Sequence, residues 1–307
     1  MSVNEAPLYR APLWLRFKGQ LAGYGFLSPW LIGLFALTLG PALSSLYLSM
    51  TDYSLMSSPR WVGADNYVRI ASDDPRFRAA MNVTFTYVLL SVPLKLIFAL
   101  AIAVLLNKGL KGLNWFRAIF YLPSLIGGSV AIAVLWRQVF ASDGIINQVL
   151  MAVFNYEGPS WIANPNTAIY TLVALAVWQF GSSMIIFLAG LRQIPTDMYE
   201  AASIDGASRA RQFFKITLPL LTPVIFFNAV ILTIDAFKAF TPAFVISDGS
   251  GGPIDSTLFY TLYLYQEAFT NFRFGYASAL AWVLVAIIAG FTALAFLSAK
   301  YWVHYDD

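Results

Sequence analysis

Six apolar stretches, each close to the length a helix needs to cross a bilayer, constrain this chain more than any other feature. They fall at roughly 24–48, 83–106, 118–140, 168–191, 219–246 and 277–299. A backbone inside hydrocarbon has no water to bond, so each stretch must satisfy its own N–H and C=O groups as a helix. The expected fold is all-α: a polytopic membrane protein with six transmembrane helices. Composition agrees, with 59% hydrophobic and 11% charged residues, whereas soluble domains are about a quarter charged. Asp235, Lys238 and Pro242 interrupt the outer half of the fifth stretch.

Lys and Arg in short loops orient such proteins, with the basic side facing the cytoplasm. Arg10, Arg16 and Lys18 precede the first stretch, and Lys108, Lys111 and Arg117 fill the second loop. The fourth loop carries Arg192, Arg209, Arg211 and Lys215, and the tail carries Lys300. The third loop, about 141–167, has neither Lys nor Arg. The first loop weighs the other way with Arg60, Arg69, Arg76 and Arg78, interspersed with Asp52, Asp65, Asp73 and Asp74. The balance places both termini and the fourth loop of this multi-pass protein in the cytoplasm.

Residues 1–20 are expected to form a cytoplasmic or interfacial segment, in which Trp14 and Phe17 flank Arg16 and Lys18. Residues 21–307 form one membrane domain, with no linker or change of composition dividing it. The first stretch is too long for the core of a signal peptide and is read as retained. The chain has no Cys, so disulfide, thiolate and cysteine-metal chemistry are absent. The sequence pI of about 9.0 fits basic side chains at lipid headgroups rather than a nucleic-acid face. His304 stands alone, which leaves no metal or catalytic cluster to build on. Lys108-Gly109-Leu110-Lys111-Gly112 lacks the spacing of a phosphate loop and reads as a turn.

Residues 192–219 are polar and helix-forming between two apolar stretches. Pro195 stops what precedes it, and Thr196 is suited to cap a helix running to Asp205, with Asp197 in its first turn. Gly206 suits the left-handed residue that ends a helix. Ser208 can then cap a second helix leading to Leu218-Pro219. Helix, glycine turn and helix make a bracket for gripping something soluble, although an ordinary connector has the same ingredients.

Glu200-Ala201-Ala202, then Gly206, then Ile216, Leu218 and Pro219, resembles the EAA loop of the permease subunits of binding-protein-dependent ABC importers. Features along nearly the whole chain are similar to the carbohydrate branch, of maltose- and glycerol-phosphate-permease type. They include Tyr121-Leu122-Pro123, Trp136, Trp178-Gln179, Gly251-Gly252-Pro253 and Phe274-Gly275-Tyr276-Ala277-Ser278. Ser247-Asp248-Gly249-Ser250 looks expanded against that pattern, and the short first outer loop resembles the compact six-span form. The resemblance implies a type I importer permease fold with a cytoplasmic coupling helix. Glu200, Ala201, Ala202, Asp205 and Gly206 would form the contact with an ATPase, Glu200 pairing with a basic residue. It implies a heterodimer with a second permease, two ATPase subunits that carry ATP and Mg, and an extracytoplasmic solute-binding protein. This chain itself would be no enzyme and hold no cofactor.

Ionisable residues in mid-membrane are costly and raise a functional question. Lys95 lies near the centre of the second stretch, roughly 18 Å of helix from either end. It is expected to face a neighbouring helix, a carboxylate or water, as a structural pairing inside the bundle, with binding of an anionic substrate as the alternative role. Trp178, Gln179 and Ser182 share one face of a continuous helix, where an aromatic ring, an amide and a hydroxyl could meet a sugar. In the resembled family the helices flanking the EAA loop line the sugar site, which adds Asp235 and Asn228. Such polar groups also bond between helices. Phe237, Phe240, Tyr260, Tyr263 and Tyr265 are expected as anchors at the outer interface. Three other readings stay open: an ion-coupled secondary transporter, an importer of a non-sugar solute such as glycerol phosphate, and a non-transporting membrane scaffold for which the bracket is only a docking site. A secondary transporter would need coupling carboxylates, for which Asp235 is the one candidate, and the repeats common in that class are not visible.

Overall fold

The computed structural model describes residues 13–108 and 112–304. Residues 1–12 of the expected N-terminal segment, and Gly109–Lys111 of the glycine–lysine turn, lie outside the described residues. Among the described residues the chain is helical, with two isolated β-bridges, Thr51–Trp61 and Ser54–Ser57, in the first loop.

Helix α1 (Leu13–Gly33) passes through a π-helical turn at Leu34–Leu39 into α2 (Gly40–Ser49), and together they form the first span. α1 begins inside the segment expected to precede that span. After α3 (Asp65–Ser72), the long α4 (Pro75–Leu106) starts eight residues earlier than the apolar stretch alone suggests. Local chemistry sets that start. Asp74 accepts the backbone N–H of Phe77 at 2.9 Å, and Pro75 occupies the first helical position, where its missing N–H costs nothing.

The third and fourth stretches are not continuous helices. α5 (Leu113–Ile126) and α6 (Val130–Val139) meet at 100° across Gly127–Ser129. Ser129 caps the new direction by accepting the N–H of Ile132. The third loop contains α7 (Ile145–Phe154), held by Asn147 bonds to the carbonyls of Ser142, Gly158 and Pro159 and by the Trp161 indole. α8 (Ala168–Trp178) and α9 (Gly181–Leu191) bend by 43° at Gln179–Phe180. The bracket follows as α10 (Thr196–Ile204), α11 (Arg209–Gln212), a π-helical turn at Phe213–Thr217 and α12 (Leu218–Leu220). α13 (Thr222–Phe237) and α14 (Thr241–Ile246) share the fifth span and separate at Lys238–Phe240, where the charges and Pro242 fall. A short α15 (Tyr260–Tyr265) precedes the last span, α16 (Phe274–Trp302). Four helical runs are long and apolar enough to cross a membrane, or six when each bent pair counts as one span.

α4 is the central post, in contact with α8, α9, α13 and α15. Its outer half packs Tyr87, Val88 and Val92 against Leu172, Val173, Phe237, Phe259 and Tyr260. Its inner half packs Ala99, Ala103 and Leu106 against Met184, Phe187, Leu188 and Leu221. The small residues Ala99 and Ala103 let the backbones approach, which matters because lipid supplies no hydrophobic drive between spans. Phe237, Tyr260 and Tyr263 are at most 3% exposed, so they are core residues and not interface anchors. Phe237 buries where α13 packs on α4, against Phe85, and the two tyrosines bury because α15 lies against α4.

A fastening closes the end of the bundle at which α4 begins. Both Tyr263 and Tyr276 donate their hydroxyls to Asp74 Oδ2. Arg76 makes a bidentate pair with Asp255 (Nε–Oδ2 3.2 Å, Nη2–Oδ1 2.9 Å). Burial alone would raise the Asp74 pKa, but the two hydroxyls, the Phe77 N–H and the charge of Arg69 hold it below the ordinary carboxylate range.

Candidate functional site

Between the outer and inner apolar clusters of α4 lies a polar belt. Lys95 sits on α4 between Val92 of one cluster and Ala99 of the other. At the same level both bent spans break, and they break against each other. A Cβ on Gly181 would lie 2.4 Å from the carbonyl oxygen of Phe120 and 2.7 Å from Tyr121 Cα, so only glycine permits this approach. The backbone groups freed by the breaks must find partners, since membrane interior offers no water. Ser124 Oγ donates to the Gln179 carbonyl at 3.0 Å and accepts the Ser182 N–H at 3.0 Å. Gln179 Nε2 donates to the Gly127 carbonyl at 3.2 Å and the Leu175 carbonyl at 3.3 Å.

Two adjoining cavities open on this belt, of about 310 and 170 Å³. Lys95, Gln179, Leu232 and Asp235 line both. Tyr87, Ser91, Phe240 and Thr241 join the larger, and Ser124, Ser182 and Asn228 join the smaller. The larger lies at the lower end of the range of about 300–1,000 Å³ in which small ligands bind. Asp235 pairs with Lys238 at 3.2 Å, one turn further along α13. Asn228 is buried and donates to the Val224 carbonyl within its own helix at 3.0 Å.

The structure thus brings together Gln179, Ser182, Asn228 and Asp235. Trp178 lies outside both linings, its ring 5.7 Å from that of Trp136. The single helical face expected for Trp178, Gln179 and Ser182 does not form, because the helix breaks at Gln179. Phe240, expected at the interface, lines the larger cavity and packs on Phe244 and Tyr265. Sequence reasoning missed Ser124, Ser91 and Tyr87. A serine directly after Pro123 and three residues before Gly127-Gly128 was the one available signal for a break.

The bracket is a second candidate site, and its local geometry follows its residues closely. α10 begins at Thr196 with Pro195 in the capping position, so Thr196 is the first helical residue and not the cap. Gly206 takes φ +74°, the Gly206 N–H bonds the Ser203 carbonyl, and the Ala207 N–H bonds the Ala202 carbonyl. That pair of bonds is the Schellman ending, which needs a residue at ease in the left-handed region. Ser208 caps α11 through the Arg211 N–H. The two arms are tied by Gln212 Nε2 to Ser203 Oγ at 2.9 Å and by Tyr199 OH with Thr217 Oγ1 at 2.8 Å. Glu200, Ala201, Asp205 and Gly206 are exposed, Ala202 is half-buried, and Ile204 is 87% exposed.

Residues 74–303 match the family described as binding-protein-dependent transport system inner membrane component. The chain belongs to this family. It is 54% identical over 290 residues to the probable ABC transporter permease protein YesP of Bacillus subtilis (strain 168), covering 94% of each chain. It is 32% identical over 283 residues to the lactose transport system permease protein LacF of Rhizobium radiobacter, covering 91% of this chain and 94% of that one. A crystal structure of a bacterial alginate ABC transporter, in complex with an alginate pentasaccharide-bound periplasmic protein, contains a chain of the same fold. The TM-score is 0.80 at 20% identity, over 94% of this chain and 97% of that chain. The protein is therefore a multi-pass permease subunit with the type I importer fold, and its family is one of transporters rather than catalysts.

Proposed function

We propose that this chain is one of two permease subunits of an ATP-driven carbohydrate importer, and that residues 192–219 transmit the movement of cytoplasmic ATPases to the spans. The observation that carries the reading is the rigidity of the bracket. Its exposed arm, α10, is fastened through Tyr199 and Ser203 to the run that enters α13, and Asp235 lies on α13 beside the cavities. A push on Glu200 or Ile204 is passed on instead of being absorbed by a loose loop, as a rigid-body switch requires. In this reading ATP and Mg sit on the two ATPase subunits. A sister permease completes the pathway as a heterodimer, and a solute-binding protein delivers sugar from outside.

The cytoplasmic placement of the bracket and both termini is supported by Lys and Arg in loops two and four. The contrary arginines of the first loop are occupied locally, Arg60 with Asp52, Arg76 with Asp255, and Arg69 over the Tyr276 ring. The carbohydrate assignment is supported by the name of the lactose permease relative and by the amide and hydroxyl groups of the belt. Ion coupling through Asp235 is disfavoured because that carboxylate is paired with Lys238 at 3.2 Å.

The decisive assay reconstitutes the chain with its sister permease, ATPases and binding protein, and measures binding-protein-dependent ATP hydrolysis over a panel of sugars. Glu200→Ala and Gly206→Asp are expected to abolish the stimulation while the complex still inserts. Undiminished stimulated hydrolysis in both variants would refute the coupling role.

A further inference from the structure

Lys95 is the unexplained group of the belt. Its ammonium is half-buried in mid-span, where an isolated charge is expensive. Among the described residues no carboxylate lies within 4.0 Å of it and no hydrogen bond of its side chain is formed. Asp235 lines both cavities with Lys95 but is also paired with Lys238 at 3.2 Å, so two ammonium groups share one carboxylate and the belt keeps a net positive charge. The groups beside it are an amide and hydroxyls: Gln179 and Ser91 in the larger cavity, Gln179 and Ser182 in the smaller. These suit sugar hydroxyls, while an ammonium with three free donors suits a carboxylate.

Resting on the proposed carbohydrate function, we infer that Lys95 binds the carboxylate of an acidic sugar, and that the substrate class is uronate-containing oligosaccharide. Charge compensation by the cargo explains why the site tolerates an unpaired ammonium. The cavity is completed electrostatically only when loaded, so a neutral sugar of the same shape leaves the charge unpaired and binds less well. The competing explanation is that a carboxylate of the sister permease pairs with Lys95 permanently. That arrangement predicts no preference between acidic and neutral sugars and a loss of assembly on mutation.

The test uses the complete permease–ATPase complex in detergent, without the binding protein, so that the selectivity measured belongs to the spans. Trigalacturonate and its carboxyl-reduced, neutral counterpart are titrated by calorimetry against wild type, Lys95→Met and Lys95→Arg. Wild type is expected to prefer the acid. Lys95→Met should weaken the acid about tenfold or more and leave the neutral probe unchanged, and Lys95→Arg should retain most of the preference. Equal binding of both probes by wild type, an equal loss of both in Lys95→Met, or disassembly of that variant would overturn the assignment. Sugar-stimulated ATP hydrolysis is measured in the same preparation with binding protein added back. If no carbohydrate stimulates it, the underlying importer reading fails; if neutral sugars alone stimulate it, only the charge assignment does.

Discussion

Asp74, which caps α4, and Lys95, in its middle, are treated in opposite ways. Asp74 is met by two tyrosine hydroxyls and a backbone N–H. Lys95, in the middle, meets no ion-pair or hydrogen-bond partner among the described residues and faces two cavities. A buried polar group costs free energy unless it is bonded, so a satisfied network can serve as a fastening. An unsatisfied charge beside empty space is a cost that structure alone does not repay. The contrast separates a structural polar cluster from one waiting for a ligand, although both look alike in composition.

Mutation can break that contrast, and the largest effect is expected at the fastening. Asp74→Ala leaves the Tyr263 and Tyr276 hydroxyls without their acceptor, at about 1–3 kcal/mol for each group left unpaired. The thermal midpoint of the purified protein should fall accordingly; an unchanged midpoint would remove the distinction between the two sites. Gly181→Val comes next. It forces a side chain into the Phe120–Tyr121 backbone, an overpacking of about 1–3 kcal/mol, and should reduce transport more than insertion.

Acid probes the fastening more gently. The Asp74 pKa is lowered in the folded state, so its stabilisation is complete above the unfolded carboxylate value and is lost as pH falls through the folded one. The margin of wild type over Asp74→Asn in thermal midpoint should therefore narrow only below about pH 4. A margin that instead narrowed between neutral pH and about pH 5 would assign the dependence to another group. The smallest stability effect is expected at Lys95→Met, which removes an unpaired charge: a midpoint unchanged or slightly raised, alongside impaired binding of acidic sugar. A fall comparable to that of Asp74→Ala would make Lys95 a fastening too.

The two candidate sites differ in how far they could be read from sequence. The bracket is contiguous, and its decisive contacts span a few residues: Gly206 at the left-handed position and Ser208 capping α11 were both expected from residue type. Even there the start shifted by one residue, because Pro195 took the capping position expected of Thr196. The belt is assembled from α4, α5, α8, α9 and α13. Gln179 and Ser182 were legible as polar residues on one face of an apolar stretch, whereas Asp235 and Asn228 followed from the family resemblance. Trp178 was grouped with them only because a continuous helix was assumed.

By itself the sequence determined the membrane class, the six apolar stretches and the bracket, because hydrophobic run length and capping chemistry act over neighbouring residues. Only the tertiary structure decided that two stretches break, that α15 buries Tyr260 and Tyr263, and that Lys95 and Asp235 share a cavity. Hydropathy records how apolar a segment is and says nothing of where its backbone bends. A bend in hydrocarbon survives only when distant groups such as Ser124 and Gln179 arrive to bond the freed backbone. That convergence is a property of the packed bundle, and it is where the site was made.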